Sequence, residues 1–140
     1  VSAMSDCDIV IEAATEREEI KRAIFRDVGA VLKPDAILAT NTSSIPITRL
    51  AQASPDPARF VGVHFFNPVP VMGLIELIRG LATSDETVAA VEGYAERLGK
   101  RVVRANDAPG FIVNRVLMPM LNEACFALGE GVATIPDIDA

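Results

Sequence analysis

Short aliphatic and β-branched runs alternate with helix-periodic segments along the first hundred residues, and this alternation constrains the fold more than any other feature. Ile9-Val10-Ile11 has the pattern of a short buried strand. Thr15-Glu16-Arg17-Glu18 follows in the arrangement of a capping box, Thr hydroxyl to the third amide and Glu back to the Thr amide. Ile20, Ala23, Ile24, Val28 and Val31 then recur at helical spacing, and Pro34 ends that helix because the residue before proline disfavours helical angles. Ala36 to Ala39 reads as a second strand ending in the polar loop Asn41-Thr42-Ser43-Ser44, with a short helix from about Thr48 to Ala53. Phe60 to Phe66 is a third strand, broken by Asn67-Pro68-Val69-Pro70, and Leu74 to Ile78 a fourth. Thr83 to Glu86 repeats the capping pattern, Val88, Val91, Tyr94, Ala95 and Leu98 mark one helical face, and Gly99 supplies a left-handed stop. Arg101 to Ala105 is the last strand. Strands alternating with helices imply right-handed crossovers and a largely parallel sheet covered on both faces, an α/β architecture.

The texture changes at Asp107. Pro109 and Gly110 open a long segment, Phe111 to Leu128, apolar almost all round, which predicts a helix buried against another domain or subunit and kinked at Pro119. Asp137 to Ala140 has the pattern of a further helix beginning. Half the residues are apolar and 23% are charged, the balance of a globular protein. A net charge of −6 disfavours a nucleic-acid binder, which carries a basic stripe. The most apolar window, Val61 to Ile78, contains His64, Asn67, two prolines and Glu76, and so is not expected to enter a membrane. With a single histidine and no paired-cysteine spacing, no metal site is expected; Cys7 and Cys125 are expected to be buried free thiols of a reducing compartment.

In doubly wound sheets ligands sit beyond the carboxyl ends of the strands. Asn41 to Ser44 lies at such an end, where four hydroxyl or amide side chains serve either a polar ligand or the turn's own backbone. His64 and Glu76 stand in strands on either side of the proline turn. A carboxylate amid Leu74, Ile75, Leu77 and Ile78 costs on the order of several kcal/mol if buried unpaired, so Glu76 needs a partner. A chain reversal at Asn67 to Pro70 brings His64 to it, which would fix the imidazole tautomer and make His64 a general base oriented by Glu76. The alternative is an edge strand with a solvated Glu and a core histidine. Asn114 lies in the first turns of the long helix, able to reach the cleft or simply a neighbouring segment. Glu16, Arg17 and Lys21 lie early in a helix following a strand, at the ligand edge or as surface charges. No GxGxxG is present, so these residues alone do not establish a nucleotide site.

Five strings taken together resemble the L-3-hydroxyacyl-CoA dehydrogenase family: Asp8 to Ala13, Ala39 to Ser44, His64-Phe65-Phe66-Asn67-Pro68-Val69-Pro70-Val71-Met72, Glu76 to Ile78, and Asp107 to Arg115, within which Pro109 to Arg115 reads PGFIVNR. The resemblance implies interconversion of (S)-3-hydroxyacyl-CoA and 3-oxoacyl-CoA with NAD, in fatty-acid or butanoate metabolism. It assigns His64 as base, Glu76 as its partner, Ser43 and Asn114 as groups that position the substrate, and Glu16, Lys21, Asn41, Ser43 and Asn67 as cofactor-cleft residues. It implies that residues 1–107 are the C-terminal part of a doubly wound, Rossmann-like NAD-binding domain and residues 108–140 the start of an all-α dimerisation domain. Family members are about twice as long, with a Gly-rich pyrophosphate turn ahead of the stretch matching Val1 and further helices after that matching Ala140, so this chain alone is expected to bind NAD weakly or not at all. A cytoplasmic homodimer is the implied setting. The competing possibility is a non-enzymatic structural or binding relative of the same fold.

Overall fold

The computed structural model describes all 140 residues, Val1–Ala140. Five strands, β1 (Ile9–Glu12), β2 (Ile37–Thr40), β3 (Phe60–Phe65), β4 (Leu74–Arg79) and β5 (Arg101–Asn106), form one sheet in sequential order. β1, β2 and β3 are parallel, β4 is antiparallel to β3, and β5 is parallel to β4. A parallel return from β3 to β4 needs a crossover of about a dozen residues or more. Only residues 66–73 intervene, with no helix among them, so the chain doubles back. The helices are α1 (Glu18–Gly29), α2 (Ile47–Ala51), α3 (Asp85–Arg97), α4 (Val113–Gly129) and α5 (Ile135–Asp139). No helix is long and apolar enough to cross a membrane.

Alternation along the strands builds two cores. Leu38, Phe60, Ile78 and Ala105 pack on Phe25 and Val28 of α1, Ile47 and Leu50 of α2, and Phe111. The opposite face, with Ile37, Ala39, Val61, Val63, Ile75 and Leu77, packs on Val88, Val91 and Ala95 of α3. Gly62 permits the first packing: a Cβ there would lie 2.7 Å from Cδ1 of Ile47.

Several local expectations are corrected. Neither Thr15 nor Thr83 caps its helix. The N-cap of α1 is Arg17, Thr15 Oγ1 accepts only the Arg17 amide, and Glu18, the residue that would close the box, pairs instead with Arg22 and Arg49. The N-cap of α3 is Ser84, whose Oγ accepts from the Thr87 amide, while Thr83 donates to the Phe60 carbonyl. The buried stripe of α1 is Lys21, Phe25 and Val28, and Ile20 is exposed, since a buried carboxylate draws the Lys21 side chain inward. Gly99 does adopt the left-handed conformation after α3, with φ +67°. α4 continues through Pro119 and buries no residue within this chain, leaving Val116, Met118, Met120, Leu121 and Phe126 exposed. Cys125 is therefore exposed and Cys7 half-buried.

Candidate active site

His64 and Glu76 are direct partners in the β3–β4 register, both on the face that carries Phe60 and Ile78. Glu76 is 0% exposed and His64 7%. Glu76 Oε2 lies 2.7 Å from His64 Nδ1. Glu76 Oε1 accepts the Ile112 and Val113 amides at 2.9 and 2.8 Å, at the first turn of α4. A carboxylate suits that position, where unpaired amides and the helix dipole favour negative charge. With the carboxylate accepting throughout, the ring proton belongs on Nδ1 and the Nε2 lone pair is left for another partner. Nε2 has no partner within the protein, and no buried side-chain nitrogen or oxygen lacks one, so Nε2 reaches the surface.

Phe66 and Phe111 flank the imidazole, with ring centroids 4.8 and 5.7 Å from it. Phe111 holds φ +50° directly after Gly110 at +77°. A bulky residue in this left-handed region stores strain that its surroundings must compensate. Phe111 is 5% exposed and part of the core, which supplies the compensation.

A second polar cluster occupies the ends of β1 and β2. One oxygen of Glu16, Oε1, accepts from Thr42 Oγ1 (2.8 Å), the Ser43 amide (2.7 Å), Ser43 Oγ (3.0 Å) and Ser44 Oγ (3.2 Å). Partial burial pushes the Glu16 carboxyl up, but the Thr42 and Ser43 hydrogen bonds and the Lys21 charge outweigh it and hold the group below its ordinary value. Lys21 is 1% exposed and donates to Glu12 Oε2 at 2.6 Å. Asn41 links the clusters: its amide donates to the Glu12 carbonyl, and its Oδ1 accepts the amide of Phe65, the neighbour of His64.

The residues singled out from sequence thus fall into two groups, His64 with Glu76, and Glu16 with Lys21 and Ser43. Asn114 follows Val113 in the first turn of α4, and its amide bonds to none of them; Asn67 is exposed in the β3–β4 turn. Sequence reasoning missed Glu12, although it stands at the end of an apolar strand just as Glu76 stands within one. It also missed Asp107, whose two carboxylate oxygens accept the Ile47 and Thr48 amides at 2.7 Å each and fasten α2 to the segment leading into α4.

A mostly parallel sheet with helices on both faces and polar groups at the ends of its first strands defines a Rossmann-like α/β domain. Residues 1–108 match the family model for the NAD binding domain of 3-hydroxyacyl-CoA dehydrogenase, and residues 110–140 match that for its C-terminal domain. The chain belongs to the 3-hydroxyacyl-CoA dehydrogenase family. It is 57% identical to a 3-hydroxybutyryl-CoA dehydrogenase of Bradyrhizobium diazoefficiens over 98% of this chain and 47% of that protein. It is 48% identical to a 3-hydroxyadipyl-CoA dehydrogenase of Escherichia coli over 100% of this chain and 30% of that protein. The crystal structure of (S)-3-hydroxybutyryl-CoA dehydrogenase PaaH1 from Ralstonia eutropha superposes with a TM-score of 0.93 at 51% identity, covering 97% of this chain and 48% of that one. The chain spans about half the length of the 3-hydroxybutyryl-CoA dehydrogenases it matches.

Proposed function

We propose that this chain carries the acid–base machinery of an NAD-dependent dehydrogenase that interconverts (S)-3-hydroxyacyl-CoA and 3-oxoacyl-CoA. The observation that carries the proposal is the 2.7 Å contact of Glu76 Oε2 with His64 Nδ1, which leaves Nε2 as an outward-facing base. His64 Nε2 takes the proton of the substrate 3-hydroxyl in oxidation and returns it in reduction. Glu76 holds the tautomer and balances the imidazolium. Ser43 and Asn114 hold the oxygen and the acyl end in line, a positioning role.

Glu16 supports a place for the cofactor. Its Oε1 is saturated by the 42–44 loop, its side chain is 43% exposed, and Oε2 has only Lys21 at 3.7 Å, leaving an acceptor for a ribose hydroxyl. NAD, when bound there, supplies the hydride acceptor. Asn41, Asn67 and Lys21 line the same edge. In this reading residues 1–107 are the last part of the nucleotide-binding domain and residues 108–140 open a helical domain. The exposed apolar residues of α4 support a homodimer contact, and two free thiols fit a cytoplasmic setting.

The test is His64→Gln in the complete protein. NADH-dependent reduction of acetoacetyl-CoA falls about 10²–10⁴-fold, while NADH affinity stays within about twofold of wild type by fluorescence titration. A wild-type kcat in this variant removes the mechanism.

A further inference from the structure

The β3–β4 bend, residues 66–73, begins beside the base, with the Phe66 ring 4.8 Å from that of His64, yet little holds it in place. Asn67 to Gly73 are all exposed, Val71 to 77%. Within the bend the Pro68 carbonyl accepts the Val71 and Met72 amides at 3.0 Å each, which closes one tight turn. Pro68 and Pro70 have no amide to donate. The only hydrogen bonds that tie residues 67–72 to the rest of the chain come from one side chain. Lys100 Nζ donates to the Val69 carbonyl at 2.5 Å and to the Met72 carbonyl at 2.7 Å. Bonds with a charged donor are about twice as strong as neutral ones. Lys100 is itself fixed from behind. Gly99, at φ +67°, ends α3, and the Lys100 amide closes back on the Ala95 carbonyl at 3.0 Å. The next amide, that of Arg101, donates to the Gly73 carbonyl at 2.7 Å as β5 begins.

We propose that Lys100 is a positioning residue for catalysis: its ammonium clamps two carbonyls of the bend and so holds Phe66 against the His64 ring and Asn67 at the mouth of the cleft. His64 and Glu76 do not depend on the clamp, because strand register holds them together. The clamp therefore governs where the reactants sit and not the proton affinity of the base. Without it, an exposed segment with no packed side chain opens easily, and Asn67 leaves its place. Lys100 acts through the bend and not as a direct ligand of substrate or cofactor. The proposal rests on the reading of the His64 end of the sheet as the place where acyl-CoA and NAD meet.

The experiment uses Lys100→Met, which keeps side-chain length and removes the donor, with Lys100→Arg, Asn67→Ala and the double variant Lys100→Met/Asn67→Ala, all in the complete protein. Hydrogen exchange followed by mass spectrometry reads the bend: the Val71 and Met72 amides exchange about tenfold faster in Lys100→Met. In reduction of acetoacetyl-CoA by NADH, the KM for acetoacetyl-CoA rises about tenfold while kcat changes less than about threefold. Lys100→Arg restores most of the KM. In the Asn67→Ala background the same loss of the clamp costs less than about twofold, because the two residues act through one segment. A merely structural contact lowers the melting temperature and leaves KM and the coupling to Asn67 unmoved, which overturns the proposal. A raised KM with unchanged exchange means that the ammonium meets the substrate itself, and overturns it too. If Lys100→Met does not fold, Lys100→Gln, which keeps one donor, decides on the same readings with shifts of about threefold. A wild-type protein that exchanges as expected but does not turn over acetoacetyl-CoA overturns the reading of the site and leaves the exchange arm to judge the clamp.

Discussion

Glu76→Gln is the sharpest perturbation, because one carboxylate serves both the base and the start of α4. If the amide nitrogen takes the place of Oε1, it faces the Ile112 and Val113 amides, donor against two donors. If it takes the place of Oε2, it faces only His64 Nδ1, and the ring relieves the conflict by moving its proton to Nε2. The second arrangement is the cheaper and is the one expected. Losing a charge from a helix N-terminus costs about 0.3–1 kcal/mol, reaching about 2 in buried geometry. Exchanging charge-assisted hydrogen bonds for neutral ones costs about 1–1.5 kcal/mol more. The sum, about 2–3 kcal/mol, lowers the urea midpoint by about 1–1.5 M for a slope of about 2 kcal/mol/M. Catalysis falls further, since Nε2 now carries a proton and cannot accept one. The equivalent carboxylate-to-amide change in a Ser-His-Asp triad costs about 10⁴ in kcat through the wrong tautomer, and a loss of about 10²–10⁴ is expected here. Urea unfolding followed by circular dichroism and turnover with acetoacetyl-CoA measure the two effects. A variant within about 0.5 kcal/mol of wild-type stability and within about threefold of its kcat would refute both the shared carboxylate and the tautomer argument.

Three further outcomes follow from particular contacts. Because the Glu16 carboxyl is held below its ordinary value, its contribution to stability is complete above the ordinary carboxyl range and is lost as pH falls through the lowered folded value; Glu16→Gln flattens that acid limb in pH-dependent unfolding, and an unchanged limb contradicts the cluster. Gly62→Ala places a Cβ 2.7 Å from Ile47 Cδ1 and 2.9 Å from Ile78 Cβ, an overpacking cost of about 1–3 kcal/mol. Ile47→Val deletes that Cδ1 and recovers part of the loss, whereas strictly additive melting shifts in the double variant speak against the clash. Gly110→Ala puts an L-residue at φ +77° with its Cβ 3.2 Å from the Arg115 amide, costing about 1–2 kcal/mol, and denaturation at the wild-type midpoint negates this.

The strand positions were legible because apolar runs with sharp turn boundaries carry their own signal; each of the five lies within about a residue of its expected place. The meeting of His64 with Glu76 was legible for a different reason: a carboxylate among aliphatic residues demands a partner, and the proline turn offered a way to deliver the one histidine. The same demand applied to Glu12 and went unread, because its partner sits nine residues away on a helix and lysine is by default a surface residue. The inward turn of Lys21 also explains why the aliphatic spacing of α1 misassigned its buried face. Asp107 gave no local signal, since its partners are backbone amides sixty residues away, and backbone donors leave no mark in side-chain patterns.

The reversal at β4 has a consequence for how this hairpin assembles. Side chains alternate between the two faces, so sliding β4 by one residue against β3 would drive a charged group into the greasy layer under α3 and turn Leu77 toward the imidazole. Every off-by-one alignment is punished by ionic solvation as well as by misplaced hydrocarbon. The linkage that equips the protein for chemistry therefore also proofreads its own strand alignment. The bend, residues 66–73, thus shares the task of alignment with a pair of side chains buried beyond it.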